Sequence, residues 1–287
     1  MDISDRVALV PGAIRGIGLS IAIGLAQKGV KLVLPYYDWL DELEGMKESL
    51  DEVHADYIAM PADLTKEEDV QRVVGRAREH FGRLDILINN IERGGWPLVH
   101  GPYVPEQWDL EFKTTVNAKH FLFNHALPLL KSSDEGAVVN ITSIAGEIGR
   151  SGPVGLIFND CYSLSNRGVS LMTQTWAREA APTVRVNELM LGIIETRHGP
   201  GTRGWKLMSD DQKQAILEHT LLRRTGFLEE VARAVLFLVE DATFMTGSII
   251  KMDGGYMLGG DAVPPMPEGV VKPGEPTFGG TKPPMTS

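Results

Sequence analysis

Three glycines near the start of the chain, Gly12, Gly16 and Gly18, have the spacing of a phosphate-binding turn. They follow a short apolar run, Val7 to Val10, and precede Leu19, Ile21, Ala22, Ile23 and Leu25, which are apolar at helical spacing. Strand, glycine turn and helix in that order form a cradle for a diphosphate. The glycines let backbone approach the ligand, and free N–H groups at the helix start carry partial positive charge. A plain tight turn with close helix–strand packing uses the same glycines, but the flanking strand and helix favour the nucleotide. Other reactive residue types point to less. The seven histidines show no ligand spacing, so no catalytic metal is expected. Cys161 lacks a partner base and reads as a small buried apolar residue. Trp96 and His100 fall in a Gly/Pro-rich loop and suit pocket lining or loop packing equally.

The elements that must position this turn alternate between strand and helix patterns. Strands are expected at Lys31–Tyr36, Asp56–Met60, Leu84–Ile88, Ala137–Ile141, Val184–Leu189 and Ser248–Met252. Helices are expected at Leu40–Leu50, Lys66–Phe81, Trp108–Leu130, Tyr162–Ala180 and Glu229–Glu240. Thr65 and Glu68 are spaced as a capping box for the second of these. The alternation predicts an α/β fold: one doubly wound parallel sheet of about seven strands with helices on both faces. Residues 1–260 read as one domain. From Asp261 to Ser287 the chain is rich in Pro and Gly and cannot bury enough surface to fold alone. It is a disordered tail or an extended arm anchored by Val270, Val271 and Phe278.

A formal net charge of −10 without a Lys/Arg block argues against nucleic acid and anionic membranes as partners. One cysteine allows no internal disulfide and fits a reducing compartment. No basic-then-apolar leader opens the chain, and no apolar run is long enough to span a bilayer. A cytoplasmic protein is the expectation.

The GxxxGxG spacing with Arg15 before the second glycine resembles the short-chain dehydrogenase/reductase family. Further motifs extend the resemblance: Asn89-Asn90 closing the fourth strand, Ser143 closing the fifth, and Tyr162 opening the next long helix. So do Ile194-Glu195-Thr196, RRTGFLEEVARAVLFL and TGSIIKMDGG, so that it runs from about Asp5 to Gly255. It implies a Rossmann-type fold and an NAD(P)-dependent oxidoreductase that interconverts a carbonyl and an alcohol on a small organic substrate. By resemblance, Gly12, Arg15, Gly16, Ile17 and Gly18 hold the cofactor diphosphate end, and Tyr36 lies at its adenosine ribose. Asp63 bonds the adenine, with Leu64 flanking it, although Asp63 also suits a helix cap. Asn89 borders the ribose, and Ile194 and Thr196 cover the nicotinamide amide. Asn117 holds a water and kinks its helix, Ser143 polarises the substrate oxygen and Tyr162 passes the proton. The family commonly pairs subunits through its two long helices, so a homodimer or homotetramer is expected, with Phe121, Phe123, Leu171 and Trp176 as contacts.

Several positions depart from the family pattern. It places a lysine four residues after the tyrosine, where the cation lowers a phenol pKa of about 10. Here that residue is Asn166, which can bond the ribose but carries no charge. Without a cation, activity is expected to rise toward alkaline pH. Arg167 points about 100° away on the helix, and Lys113, one turn before Asn117, is a substitute cation. Glu92 places a charge where the family keeps a small residue, Pro11 replaces a threonine, and Leu191 replaces a proline. The stretch from Ser143 to Tyr162 is long, so Gly146–Asp160 should form an enlarged loop over the pocket. These departures keep a second reading open: a nucleotide-binding structural or regulatory subunit with little or no redox activity. No acid sits squarely at the end of the second strand, although Asp38 follows closely, and Arg15 can meet a 2′-phosphate. NADP is therefore expected over NAD.

Overall fold

The computed structural model describes residues 2–92, 104–196 and 203–260, together with residue 263. The strands are β1 (Val7–Leu9), β2 (Lys31–Tyr36), β3 (Tyr57–Pro61), β4 (Ile86–Asn89), β5 (Gly136–Ser143), β6 (Val184–Leu191) and β7 (Ile249–Met252). They form one sheet in the order β3-β2-β1-β4-β5-β6-β7, with every pairing parallel. The first helices are α1 (Gly16–Ala26), α2 (Leu43–Glu52), α3 (Glu67–Phe81), α4 (Pro105–Phe112) and α5 (Ala118–Ser132). They are followed by α6 (Ala145–Ile148), α7 (Asp160–Ala180), α8 (Arg203–Leu207), α9 (Asp210–His219) and α10 (Leu228–Leu236).

A parallel sheet hidden on both faces needs apolar side chains at successive strand positions. In β1, Ala8 joins one layer while Val7 and Leu9 join the other. The first layer is closed by Ile21 and Leu25 of α1, Met46 and Leu50 of α2, and Val231 and Val235 of α10. The second is closed by Val70 and Val73 of α3, Leu122 and Ala126 of α5, and Ala177 and Ala180 of α7. This is the Rossmann-type arrangement expected from the alternating pattern. Strand order reverses between β1 and β4, and such a switch point opens a crevice at the carboxyl ends of the strands.

The long helix expected over Trp108–Leu130 is α4 and α5 joined by a π-helical turn at Lys113–Asn117. That turn ends on Asn117, the residue expected to kink it. The Thr65–Glu68 capping box does not form. Lys66 is the N-cap without a side-chain bond, and the Thr65 hydroxyl donates instead to Asp63 Oδ1 at 2.6 Å. Three helices, α6, α8 and α9, lie outside the expected set, although α9 carries a true capping box of Ser209 and Gln212. Phe123 and Trp176, expected at a subunit contact, are buried and stack on each other at 4.4 Å, so they belong to the core. Leu171 remains exposed. Trp96, His100 and the anchors Val270, Val271 and Phe278 lie outside the described residues. Among the described residues no helix is long and apolar enough to cross a membrane.

Candidate active site

The glycine turn sits at the carboxyl end of β1. Gly12 and Gly16 have φ values of +70° and +57°, a region that side-chain-bearing residues avoid. A Cβ on Gly18 would lie 2.2 Å from the Gly12 carbonyl oxygen, so the turn closes only without one. Asn90, just past β4, donates from Nδ2 to the carbonyls of Pro11 and Gly12 at 3.4 and 3.3 Å, tying the two strand ends together. On the other side, Thr196 leans so close that a Cβ on Gly16 would meet its Oγ1 at 2.8 Å.

Beside this turn runs a cleft lined by Ile17, Asn90, Glu92, Ser143, Tyr162 and Thr196, with Phe158 and Ile194 among its apolar walls. Phe158 comes from the long segment before α7, which folds as α6 and a short 3-10 turn at Pro153–Leu156. Tyr256 holds that segment by accepting the Val154 N–H at 3.0 Å. Trp205 of α8 packs into the same apolar cluster as Phe158, Tyr162 and Tyr256.

Within the cleft, the Tyr162 phenol donates to Glu92, whose two carboxylate oxygens lie 3.3 and 3.4 Å away. The start of α7 is fixed by Asn159, whose Oδ1 accepts the Tyr162 N–H at 2.7 Å. Ser143 ends β5, and its hydroxyl oxygen accepts the Ala145 N–H at 3.2 Å. Asn166 is fully buried. Its Oδ1 accepts the Ser143 N–H and its Nδ2 donates to the Tyr162 carbonyl, both at 3.0 Å. Its amide, expected at the ribose, here faces inward and locks β5 to α7. The substitute cation is not in place, since Lys113 is exposed, as is Arg167.

A buried lysine stands below the cleft instead. Lys119 of α5 is fully buried, and its Nζ donates to the Ile141 carbonyl at 2.8 Å. Burial pushes its ammonium down to about 8, against the pull of Glu92, Glu188 and Glu111 in that order. Glu188 of β6 accepts from the Thr142 and Ser170 hydroxyls, and burial raises its carboxyl above the usual range. Glu111 of α4 is also buried and accepts the Thr115 hydroxyl at 2.9 Å.

A family model described as enoyl-(acyl carrier protein) reductase matches residues 12–257. The chain belongs to the short-chain dehydrogenase/reductase family. A protein of Streptomyces violaceoruber named as ketoacyl reductase 2 of the granaticin polyketide synthase is 37% identical over 88% of this chain and 96% of its own length. Glucose 1-dehydrogenase 2 of Bacillus subtilis is 30% identical over 90% of this chain and 96% of its own. Among solved structures, a short-chain type dehydrogenase/reductase from Mycobacterium ulcerans aligns with a TM-score of 0.79 at 27% identity, covering 90% of this chain and 92% of that one. The fold is thus that of the family's NAD(P)-binding oxidoreductases.

The other positions that the short-chain dehydrogenase/reductase pattern singles out lie around the same crest. Tyr36 ends β2, and its carbonyl accepts the Ala62 N–H at 2.8 Å. Arg15 lies 4.5 Å over the Trp39 ring and pairs with Glu42 at 3.1 Å, with both charged partners well exposed. Asp63 Oδ1 accepts the Thr65 N–H and hydroxyl, the turn-capping contact, and Leu64 beside it is buried. Asn89 is buried and donates to Asn140 at 2.8 Å, while its own Oδ1 has no partner among the described residues. Cys161 is buried, which pushes its thiol up to about 11 and leaves it unreactive. Lys119 and Glu188 escaped the sequence reading. Lys119 does fall on the apolar stripe of α5 with Leu122, Phe123 and Ala126, a position where a lysine signals a buried charge.

Proposed function

We propose that this chain is an NAD(P)-dependent oxidoreductase that interconverts a carbonyl and an alcohol on a small organic substrate. The observation that carries the reading is that Ser143 and Tyr162 line one cleft with Ile17 and Thr196, which border the glycine turn. A dinucleotide suits the residues present. The turn of Gly12, Gly16 and Gly18 leaves room only for backbone, and α1 begins there with N–H groups free to meet a diphosphate. Asp63, Leu64, Asn89 and Tyr36 surround the adenosine end, and Ile194 and Thr196 the nicotinamide end. Arg15 and the lack of an acid on Tyr36 favour NADP over NAD.

The bound nicotinamide would supply or accept the hydride. Ser143 orients the substrate oxygen by hydrogen bonding, and Tyr162 holds the proton that oxygen gains or loses. Asn117, at the end of the π turn, would hold a water. Exposed apolar residues on α4 and α7, among them Leu110, Phe112, Leu164 and Leu171, favour a homodimer or homotetramer.

Titrating NADPH and NADH by fluorescence or calorimetry, followed by a panel of ketones and alcohols with Tyr162→Phe as control, tests the reading. Binding of either nucleotide, turnover, and a kcat lowered about 10²–10⁴-fold in Tyr162→Phe are expected. No binding of either nucleotide overturns the reading. The inward-turned Asn166 favours a second reading, a nucleotide-binding subunit without redox activity, and binding without turnover would select it.

A further inference from the structure

We propose that Glu92 is the proton partner of Tyr162, filling the place left by the lysine that position 166 lacks; the inference rests on the oxidoreductase reading above. Both Glu92 oxygens stand within hydrogen-bonding distance of the phenol, at 3.3 and 3.4 Å. Both residues face the cleft that holds Ser143, so the pair meets whatever the cleft binds. Asn166 is committed to backbone partners, and Lys113 and Arg167 lie exposed elsewhere.

In the oxidising direction the substrate hydroxyl gives its proton to Tyr162 Oη. As it does so, the phenol's own proton passes to a Glu92 oxygen, leaving a carboxylic acid. The electron pair of the substrate C–H bond would leave as hydride, which a bound oxidised nicotinamide nucleotide would accept. Reduction runs the same transfers backwards. The logic is opposite to that of a lysine. An ammonium beside a phenol stabilises the phenolate, whereas a carboxylate keeps the phenol protonated at rest and takes its proton only during the reaction. Glu92 must then be ionised at rest. It faces Tyr162 from α7 and the buried Lys119 from α5, and Lys119 also feels Glu188 from β6 and Glu111 from α4. Burial of Lys119 makes an anionic neighbour worth more to it, and the linkage is mutual.

The test begins on the ligand-free protein. Phenolate absorbance is followed against pH for wild type, Glu92→Gln and Glu92→Asp, each as a difference from its Tyr162→Phe counterpart. Glu92→Gln should move the Tyr162 signal to lower pH by about one unit or more, and Glu92→Asp should move it less. An unmoved signal in a Glu92→Gln protein of unchanged circular dichroism overturns the pairing. With an accepted substrate, Glu92→Gln should lower kcat about 100-fold with KM and nucleotide affinity unchanged, and Glu92→Asp should recover part of it. A Glu92→Gln enzyme with the wild-type kcat and pH profile overturns the relay. A wild type silent on every substrate tells against the oxidoreductase reading and the relay together, while the titration still decides whether the two residues are coupled.

Discussion

Asp85 and Glu188 are both fully buried acids of the same sheet, one just before β4 and the other within β6. Asp85 sits at the amino end of the strands. Its oxygens accept from Val7 N–H at 2.9 Å, from Arg83 Nε and Nη2 at 2.8 and 2.7 Å, and from the Ser133 hydroxyl, with Arg6 a further 3.6 Å away. Burial alone would raise its carboxyl, but these bonds together pull it below the usual range. Glu188 lies toward the crest that carries the cleft. One of its oxygens accepts two hydroxyls, the other has no hydrogen-bond partner among the described residues, and its carboxyl is pushed up. Both oxygens of Asp85 are paired, as a purely structural buried charge requires. Incomplete pairing is concentrated at the end where Tyr162, Glu92 and Lys119 gather.

If that contrast is right, removing Asp85 should do the most damage to the fold. Asp85→Ala leaves Arg83 and the Val7 N–H without their acceptor and should lower the unfolding free energy by about 3–5 kcal/mol in chemical denaturation. Because its folded pKa lies below its ordinary 3.8, its contribution is present above that pH and is lost as pH falls. The gap between wild type and Asp85→Ala should therefore close in acid, and a gap independent of pH would contradict the assignment.

At the crest the effects should be smaller. Asn166→Ala strands the buried Ser143 N–H and the Tyr162 carbonyl, an expected loss of about 1–3 kcal/mol measured the same way. Asn166→Lys forfeits both bonds as well, so restoring the family's residue type should destabilise rather than rescue. Loss of stability below the error of the measurement would mean that the inward amide is dispensable.

The smallest effect is expected at Glu188. Glu188→Gln keeps the shape and removes a charge that the fold disfavours, so stability near neutral pH should change by less than about 1 kcal/mol. Its sign with pH is the reverse of Asp85. A raised folded pKa gives stability that is full below the ordinary 4.5 and is lost as pH rises through the folded value. Glu188→Gln should consequently gain on wild type as pH climbs from 4.5, and a steady loss over that range would break the comparison.

The sheet is legible because its central strands β1 and β4 are buried throughout and begin as apolar runs, and the range Lys31–Tyr36 agrees to the residue. Most other boundaries moved by a residue or two, since strand ends depend on pairing partners. The π turn at Lys113–Asn117 is marked in the sequence by Asn117 alone, and only through the family resemblance. Helix α9 was missed although Ser209 and Gln212 spell its capping box, because its surface is too polar to show a clear stripe. At the cleft, the resemblance located Ser143 and Tyr162, and the sequence alone revealed that position 166 lacked a charge. It could not reveal that Glu92 reaches across 70 residues to the phenol. Nor could it reveal that Asn166 turns toward backbone, since both follow from how α7 sits against β5.

The apolar cluster behind the cleft includes an indole. Trp205 shares its cluster with Phe158 and Tyr162, whereas Trp176 is stacked against Phe123 in the layer between sheet and helices. Indole emission responds to local polarity, so of the five tryptophans Trp205 reports from beside Tyr162, while Trp176 reports from the interior and Trp39 and Trp108 from exposed positions. The fold thus comes with its own optical gauge of occupancy: a change that vanishes in Trp205→Phe originates beside Tyr162, with no label attached.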